Sequence, residues 1–366
     1  MTQTQNKQRL LSLDILRGLT VAGMILVDSG TDNSFLPLQH SVWNGMTPCD
    51  LVFPFFLFIM GISTYLSLKK FSFSWSGTLA RKIIKRTVVL FLIGLGVNWF
   101  ILLIKGIPFE WGQLRYMGIL QRIALCYALT ASLAICVRHR YFPLLIVILL
   151  SAYTALLLYG NGLACDTSNI LRQADECIFG KSHLYLDEGP IDPEGLLSLI
   201  ACTAHTMIGF CCCRMMELQK DVKSKVLVYL RIGAILTISG YLLTFAIPLN
   251  KRIWSPSYVC VTCGLAALLQ GLIMYALDLQ TGQTVWKTAF SDFFRVFGVN
   301  PLFLYVTRFL LTVFMVLTGL ARPLHAALDA IIPSAPWSAL AYAIIMVMAV
   351  YCIGVFLDKR PIYIKL

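Results

Sequence analysis

The chain is predicted to be an all-α, polytopic bundle of membrane-spanning helices, and three observations predict it. Hydrophobic residues make up 58% of the 366 while charged residues make up 13%, with a mean hydropathy of +0.76, outside the habit of soluble domains. About ten apolar runs approach the ~20 residues that carry a helix across a ~30 Å hydrocarbon core. Basic residues lie scattered between those runs rather than on one face, so the net charge of +12 reads as topology and not as a nucleic-acid surface.

Taken in order, a tail with Lys7 and Arg9 precedes a first span at about 15–27. Asp14 and Arg17 interrupt what would be the apolar core of a cleavable leader, so no signal peptide is expected there. A polar hairpin holding Asp28, His40, Asn44 and Asp50 leads to the second span, about 51–66, in which Pro54 and Gly61 are expected to serve packing and a kink. A basic segment from Lys69 to Arg86 follows, then a third span at 88–104. The loop KGIPFEWGQLRY leads to a fourth at 117–137, closed by Arg138 and Arg140, and a fifth at 142–159. The longest polar segment, 160–194, is acidic and contains Cys165 and Cys177. A sixth span at 196–213 ends in Arg214 and a basic connection, and a seventh covers 226–248. KRIWSPSY then turns the chain into an eighth at 259–277, before a ninth at 297–317, a tenth at 337–357 and the basic tail DKRPIYIKL. The whole, 1–366, reads as one transmembrane domain with 160–194 as its large outer loop.

Alternating the loops puts roughly nineteen Lys and Arg on the side of both termini, against roughly seven opposite, which orients the termini to the cytoplasm. The hairpin, KGIPFEWGQLRY, the acidic loop and KRIWSPSY then all fall on the outer face. No inverted repeat of the transporter kind is visible. Most of the 12 cysteines lie in apolar runs, where they behave as small hydrophobes. Cys165 and Cys177 either pair in an oxidising compartment or remain two thiols of an ordered loop. The run Cys211–Cys213 is helical, its side chains point different ways, and no metal cluster is expected there.

A histidine and carboxylates at the mouth of a span cost free energy that function usually justifies, and His40 is therefore the expected chemical centre. The plain alternative is an interfacial histidine satisfied by water. His139 and His183 fall in polar segments and read as solvated, whereas His205, inside a span, reads as a structural hydrogen bond.

The words LDILRG, HSVWNGMTPCDLVFPFFLFIMG, GILQRIAL, DPEGLL, WSPSY and GVNPLFLYV occur in this order. Together they resemble the heparan-alpha-glucosaminide N-acetyltransferase family, over about residues 11–366. The resemblance implies transfer of the acetyl group of cytosolic acetyl-CoA to a glucosamine-type amine across the membrane. It implies a multi-pass protein of a bacterial inner membrane, an amino-sugar acceptor, no metal and no nucleic-acid partner, and points to a homodimer. The family's catalytic histidine falls on His40. A family asparagine that ends the first catalytic span falls on Asp28, a departure, with one extra residue before the histidine. A carboxylate there would repel an oxyanion but could orient the imidazole, leaving Asn33 or Asn44 to supply the amide.

The reaction needs a base for the amine, donors for the tetrahedral oxyanion and stabilisation of the leaving thiolate. His40 serves as base or as acetyl carrier, with Asp28 and Asn44 assisting and Trp43 Nε1 as a further donor. Cations must line the CoA route: Arg17, Arg122, Arg231 and Arg308 lie within spans, and of these Arg17, Arg122 and Arg308 are cofactor-binding candidates together with Gln121, Lys251, Arg252, Trp254, Ser255, Ser257 and Asn300. Each has a plainer role: an Asp14–Arg17 ion pair, a helix cap at WSPSY, and repair of a proline break by Asn300. Trp43, Asp50, Asp192 and Glu194 are the candidates for meeting the sugar, although Asp192 and Glu194 also suit a helix N-terminus. Two other readings share these features: a proton-coupled glycan transporter, and an O-acyltransferase of surface polysaccharide.

Overall fold

Inside hydrocarbon a backbone must satisfy its own N–H and C=O groups, which a helix does within one segment. Each of the ten apolar runs accordingly falls on a helix in the computed structural model, which describes residues 11–364 apart from 32, 108–109 and 281–284. Lys7, Arg9 and Lys365, used in the charge count, lie outside the described residues, as do Pro108 and Phe109 of the KGIPFEWGQLRY loop. No strand occurs among the described residues.

The helices are α1 (Leu11–Asp28), α2 (Val52–Lys69), α3 (Gly77–Ile104), α4 (Ile119–Cys136), α5 (Phe142–Tyr159), α6 (Ile170–Phe179) and α7 (Leu199–Glu217). They continue as α8 (Val222–Leu243), α9 (Pro256–Met274), α10 (Val285–Val299), α11 (Pro301–Leu317), α12 (Ala321–Ile331) and α13 (Ala335–Lys359). Side chains cap several starts: Ser76 accepts from Leu79 N, Asn169 from Leu171 N, Asp221 from Ser224 N and Ser255 from Tyr258 N.

About ten spans are expected, and the described helices give eight or nine. Eight of the described helices are long and apolar enough to cross a membrane, or nine if the bent pair α10–α11 is one span. Two physical causes account for the difference. Helix α1 carries Asp14, Arg17 and Asp28 in its 18 residues, too many charges for an ordinary apolar span. At the ninth run Pro301 has no N–H to continue the ladder, and the chain turns by 81° at Asn300.

Helices α2, α7 and α9 are buried along most of their length, whereas α3, α5 and α8 expose apolar stripes such as Ile84, Val88 and Leu92 or Leu144, Val147 and Ile148. The first three form the inner layer, and the exposed stripes suit a lipid boundary. Apolar matching cannot hold helices together where the solvent is itself apolar, so close contact must do it. At the α2–α7 crossing a Cβ on Gly61 would stand 2.0 Å from Thr206 O, and one on Gly209 would stand 2.1 Å from Phe58 O. The α1–α10 crossing is equally close: a Cβ on Gly18 would lie 1.7 Å from Phe294 O.

The four unusual polar segments meet at one end of this bundle. Gly45 N donates to Leu249 O at 2.8 Å and Trp43 Nε1 to Leu163 O at 3.3 Å, joining the hairpin to the KRIWSPSY corner and to the acidic loop. Lys105 pairs with Asp187 at 2.6 Å, and Arg115 pairs with Asp192 and Glu194, both at 2.5 Å, tying the α3–α4 loop to the acidic loop. Helix α6, inside that loop, was not anticipated because it is amphipathic and short. Its Arg172 donates to Pro190 O at 2.6 Å.

Candidate active site

Where the polar segments meet, a cavity of about 1220 Å³ opens between the ends of α1, α2, α3 and α4 and the middle of α11. It exceeds the ~300–1,000 Å³ usual for small-molecule pockets, which leaves room for a large ligand or for two. His40 and Cys49 line it from the hairpin, Asp28 from α1, Gln121 from α4, Tyr305 and Arg308 from α11, and Lys251 and Arg252 from the corner before α9. Lys105, Arg115, Glu188 and Glu194 add further cations and carboxylates to its lining.

Local chemistry sets the hairpin. Thr47 begins a turn with Pro48 at its first position, and Asp50 closes a capping box on Thr47. The Asp50 carboxylate is wholly buried, and its Oδ2 accepts from Ser41 N, Thr47 N and Thr47 Oγ1, each at 3.1 Å. Its other oxygen, Oδ1, faces the imidazole, 2.8 Å from His40 Nδ1. Lys251 Nζ completes the group at 2.8 Å from Nδ1, 3.3 Å from Nε2 and 3.2 Å from Asp50 Oδ1. Cys49 Sγ lies 3.0 Å from Nδ1 and 3.7 Å from Nε2. The charge of Lys251 needs the buried carboxylate, and with Nδ1–H donating to Asp50 the lone pair of Nε2 faces the Lys251 ammonium at 3.3 Å. A backbone bond from below, Tyr258 hydroxyl to Asp50 O, anchors the turn to α9.

The other expected residues divide. Asp28, Gln121, Lys251, Arg252, Glu194 and Arg308 share the cavity with His40. Arg308 is buried and donates weakly to Ser29 Oγ at 3.4 Å. Asn44 lies outside the cavity lining, where its Oδ1 accepts from Asn250 Nδ2 at 3.2 Å. Arg17 pairs with Asp14 at 3.2 Å and reaches Ser63 Oγ and Gly298 O, holding α1 to α2 and α10. Arg122 is buried and clamps the entry to α7 through Gly195 O, at 3.0 Å, and Ser198 Oγ. Trp254 packs among Phe53, Tyr258 and His205, and Ser255 caps α9 while Ser257 donates to Pro248 O. Asn300 neither meets the cavity nor repairs the proline break. Its side chain binds Ile362 O and Ile364 N, both at 2.9 Å, and pins the C-terminal segment to the bend. Asp192 accepts from Arg115, Tyr185 N and Glu194 N, which leaves it a structural neutraliser of Arg115.

Electrostatics of the lining follow from these pairs. Burial pushes the Glu194 carboxyl up, but Arg115 and Arg122 outweigh it and hold the group below the usual carboxylate range. Burial likewise pulls Arg115 down, and Glu194 and Asp192 raise it above its ordinary value, so the guanidinium stays charged. His205 Nε2–H donates to Pro54 O across 2.9 Å in the buried α2–α7 interface, the structural bond expected of it. His183 is not simply solvated: it stacks on Tyr116 and bonds Leu114 O at 2.7 Å. His139 packs among Phe73, Phe142 and Phe210. Cys165 and Cys177 are both exposed free thiols. Sequence reasoning missed Cys49 and Arg115. The first sits inside the quoted signature beside Asp50, and the second is a cation in the KGIPFEWGQLRY loop, which had been read only for its side of the membrane.

Comparison with known proteins bears on this hairpin directly. Residues 9–169 match the family model described as heparan-alpha-glucosaminide N-acetyltransferase, catalytic. Heparan-alpha-glucosaminide N-acetyltransferase of Mus musculus is 28% identical across 83% of this chain and 54% of its own length. The Homo sapiens protein of that name is 26% identical across 81% of this chain and 52% of its own. This chain therefore spans about half the length of the curated relatives it matches. The matched segment runs from α1 to the start of the acidic loop, so it contains Asp28, His40, Asp50 and Gln121 but not Lys251 or Arg308.

Proposed function

We propose that the chain is an integral membrane N-acetyltransferase that moves the acetyl group of acetyl-CoA to the amine of a glucosamine-type sugar. The single observation that carries this reading is the His40–Asp50 pair, 2.8 Å apart and inside the segment matched by the family model, with His40 in the wall of a large cavity. An amine nucleophile must lose a proton, and a neutral imidazole oriented through Nδ1–H by a buried carboxylate presents Nε2 for it. In this reading Asp50 is the orienting acid, a role the sequence had suggested for Asp28. Lys251 supplies positive charge beside the forming oxyanion or the departing thiolate. The same imidazole can instead carry the acetyl group transiently.

Arg308, with one long hydrogen bond to Ser29, gives the cavity a cation for a CoA phosphate, and Asp28 offers a carboxylate to an ammonium before it is deprotonated, whereas Lys105, Arg115 and Arg252 already pair with Asp187, with Asp192 and Glu194, and with Glu188. The excess of Lys and Arg in the loops on the side of both termini supports cytoplasmic termini and a cavity mouth on the outer face of a bacterial inner membrane. Acetyl-CoA would then come from the cytoplasm and the sugar from outside.

Membranes containing the protein, given labelled acetyl-CoA and glucosamine, should form an acetamide. His40→Ala, at equal expression, should abolish it. An ester product would instead favour O-acylation, and sugar flux without acylation a transporter. No acylation of either kind, or full turnover without His40, would overturn the reading.

A further inference from the structure

The imidazole, thiol and carboxylate of His40, Cys49 and Asp50 bring a nitrogen, a sulfur and an oxygen donor within 4.8 Å of one another, and no other such trio forms among the described residues. Their common vertex is His40 Nδ1, 2.8 Å from the carboxylate oxygen and 3.0 Å from the sulfur. A tetrahedral zinc ion holds nitrogen and oxygen ligands at about 2.0–2.2 Å, so its ligands stand about 3.4 Å apart. The two contacts to Nδ1 therefore have to open by about half an ångström to admit one, and the carboxylate oxygen and the sulfur lie within 4.8 Å of each other. A cation is already drawn to this point: the Lys251 ammonium sits 2.8 Å from Nδ1 and 3.2 Å from Asp50 Oδ1. The site is also reachable, because His40 and Cys49 line the cavity and the histidine side chain is 37% exposed.

We propose that His40, Cys49 and Asp50 form a zinc-binding site at the cavity wall, gated by Lys251. Mixed imidazole, thiolate and carboxylate donors select a borderline-soft divalent ion over magnesium or calcium, which prefer all-oxygen sites. On binding, the imidazole proton passes from Nδ1 to Nε2 so that Nδ1 gives its lone pair, and the Cys49 thiol forms a zinc–sulfur bond while its proton leaves to solvent. The Lys251 ammonium swings into the cavity. Three protein ligands leave the fourth position facing that cavity. Since the metal takes up the imidazole, micromolar zinc would inhibit acetyl transfer if His40 acts as proposed above. Zinc binding itself does not depend on that reading, and its failure would leave the reading untouched.

The test uses the full chain purified in detergent and titrated calorimetrically with zinc, with cobalt as a spectroscopic stand-in. One equivalent should bind, releasing protons, and the cobalt form should show a sulfur-to-metal charge-transfer band. Cys49→Ser should remove that band and weaken zinc by about tenfold or more. Lys251→Met, which leaves all three ligands in place, should tighten binding. Melting curves on each variant separate loss of a ligand from loss of the fold. Less than stoichiometric binding by the wild type, a cobalt form without the sulfur band, or unchanged affinity in Lys251→Met would overturn the proposal.

Discussion

Replacing Asp50 by asparagine changes one buried atom from an acceptor to a donor, and the structure says which one. The oxygen at Oδ2 has three donors around it, Ser41 N, Thr47 N and Thr47 Oγ1, so the amide oxygen will stay there. Its NH₂ must then occupy the Oδ1 position, 2.8 Å from His40 Nδ1 and 3.2 Å from the Lys251 ammonium. Nδ1 can only accept from that group, so the proton moves to Nε2, and the nitrogen facing the cavity no longer has a lone pair. An acid-to-amide change of this kind in a histidine-based triad costs about 10⁴ in rate, about 5.5 kcal/mol. Losing the carboxylate also removes charge-assisted bonds worth about 1.5–3 kcal/mol each and leaves Lys251 uncompensated, so some stability will go with it. Initial rates of acetyl transfer in membranes, normalised to folded protein, give the first readout. The double variant with His40→Ala gives the second, because a residue acting only through the imidazole adds nothing once the imidazole is gone. A rate for Asp50→Asn within about threefold of wild type, or fully additive losses in the double variant, would refute the tautomer argument.

Three further outcomes test the scaffold. Arg115→Met leaves Asp192 and Glu194 buried without their cation and should cost about 3–5 kcal/mol, read as a lower melting temperature in detergent. Gly61→Ala drives a methyl to 2.0 Å from Thr206 O, so α2 and α7 must part, at about 1–3 kcal/mol or more, visible as reduced thermal stability without a change in ligand preference. Asp175, buried in α6 with only Oδ1 bonded, to Leu196 N at 2.8 Å, has its carboxyl pushed by burial up to about 6 from an ordinary 3.8. A raised folded value means that its contribution is fully present below pH 3.8 and is lost as pH rises through 6, amounting to about 3 kcal/mol at pH 8. Asp175→Asn should therefore raise the melting temperature at pH 8 more than at pH 5. An equal shift at both pH values would contradict it.

Apolar runs made the helices legible, because hydrocarbon leaves a spanning backbone no other way to satisfy itself. What escaped were features that are not periodic in hydropathy. The fall from ten spans to eight or nine turns on three charges in α1 and on one proline at the α10–α11 bend, each small against the surrounding apolar mass. Helix α6 and helix α12 are short amphipathic pieces inside segments that averaged as polar or as connections. Alternation of the loops predicted that the hairpin, the α3–α4 loop, the acidic loop and the KRIWSPSY corner gather at one end, and their contacts show that they do.

Which residues at that end face the cavity is a finer question, and it depends on rotation that spacing along the chain does not reveal. Gln121 and Arg122 are neighbours in α4, yet a turn of ~100° per residue sends the first into the cavity and the second into the protein against Gly195 and Ser198. The hairpin shows the same effect without a helix. Asp50 and Asn44 are both polar and both close to His40 in sequence, but the Thr47–Asp50 capping box turns the acid under the imidazole, while Asn44 is drawn away by Asn250. Cys49 was read as one more small hydrophobe because its partner, the imidazole nine residues earlier, becomes its neighbour only once that box has closed. The side chains that decide the chemistry are thus placed by a turn motif of four residues, and the apolar spans serve to bring Lys251, more than two hundred residues on, to the same carboxylate.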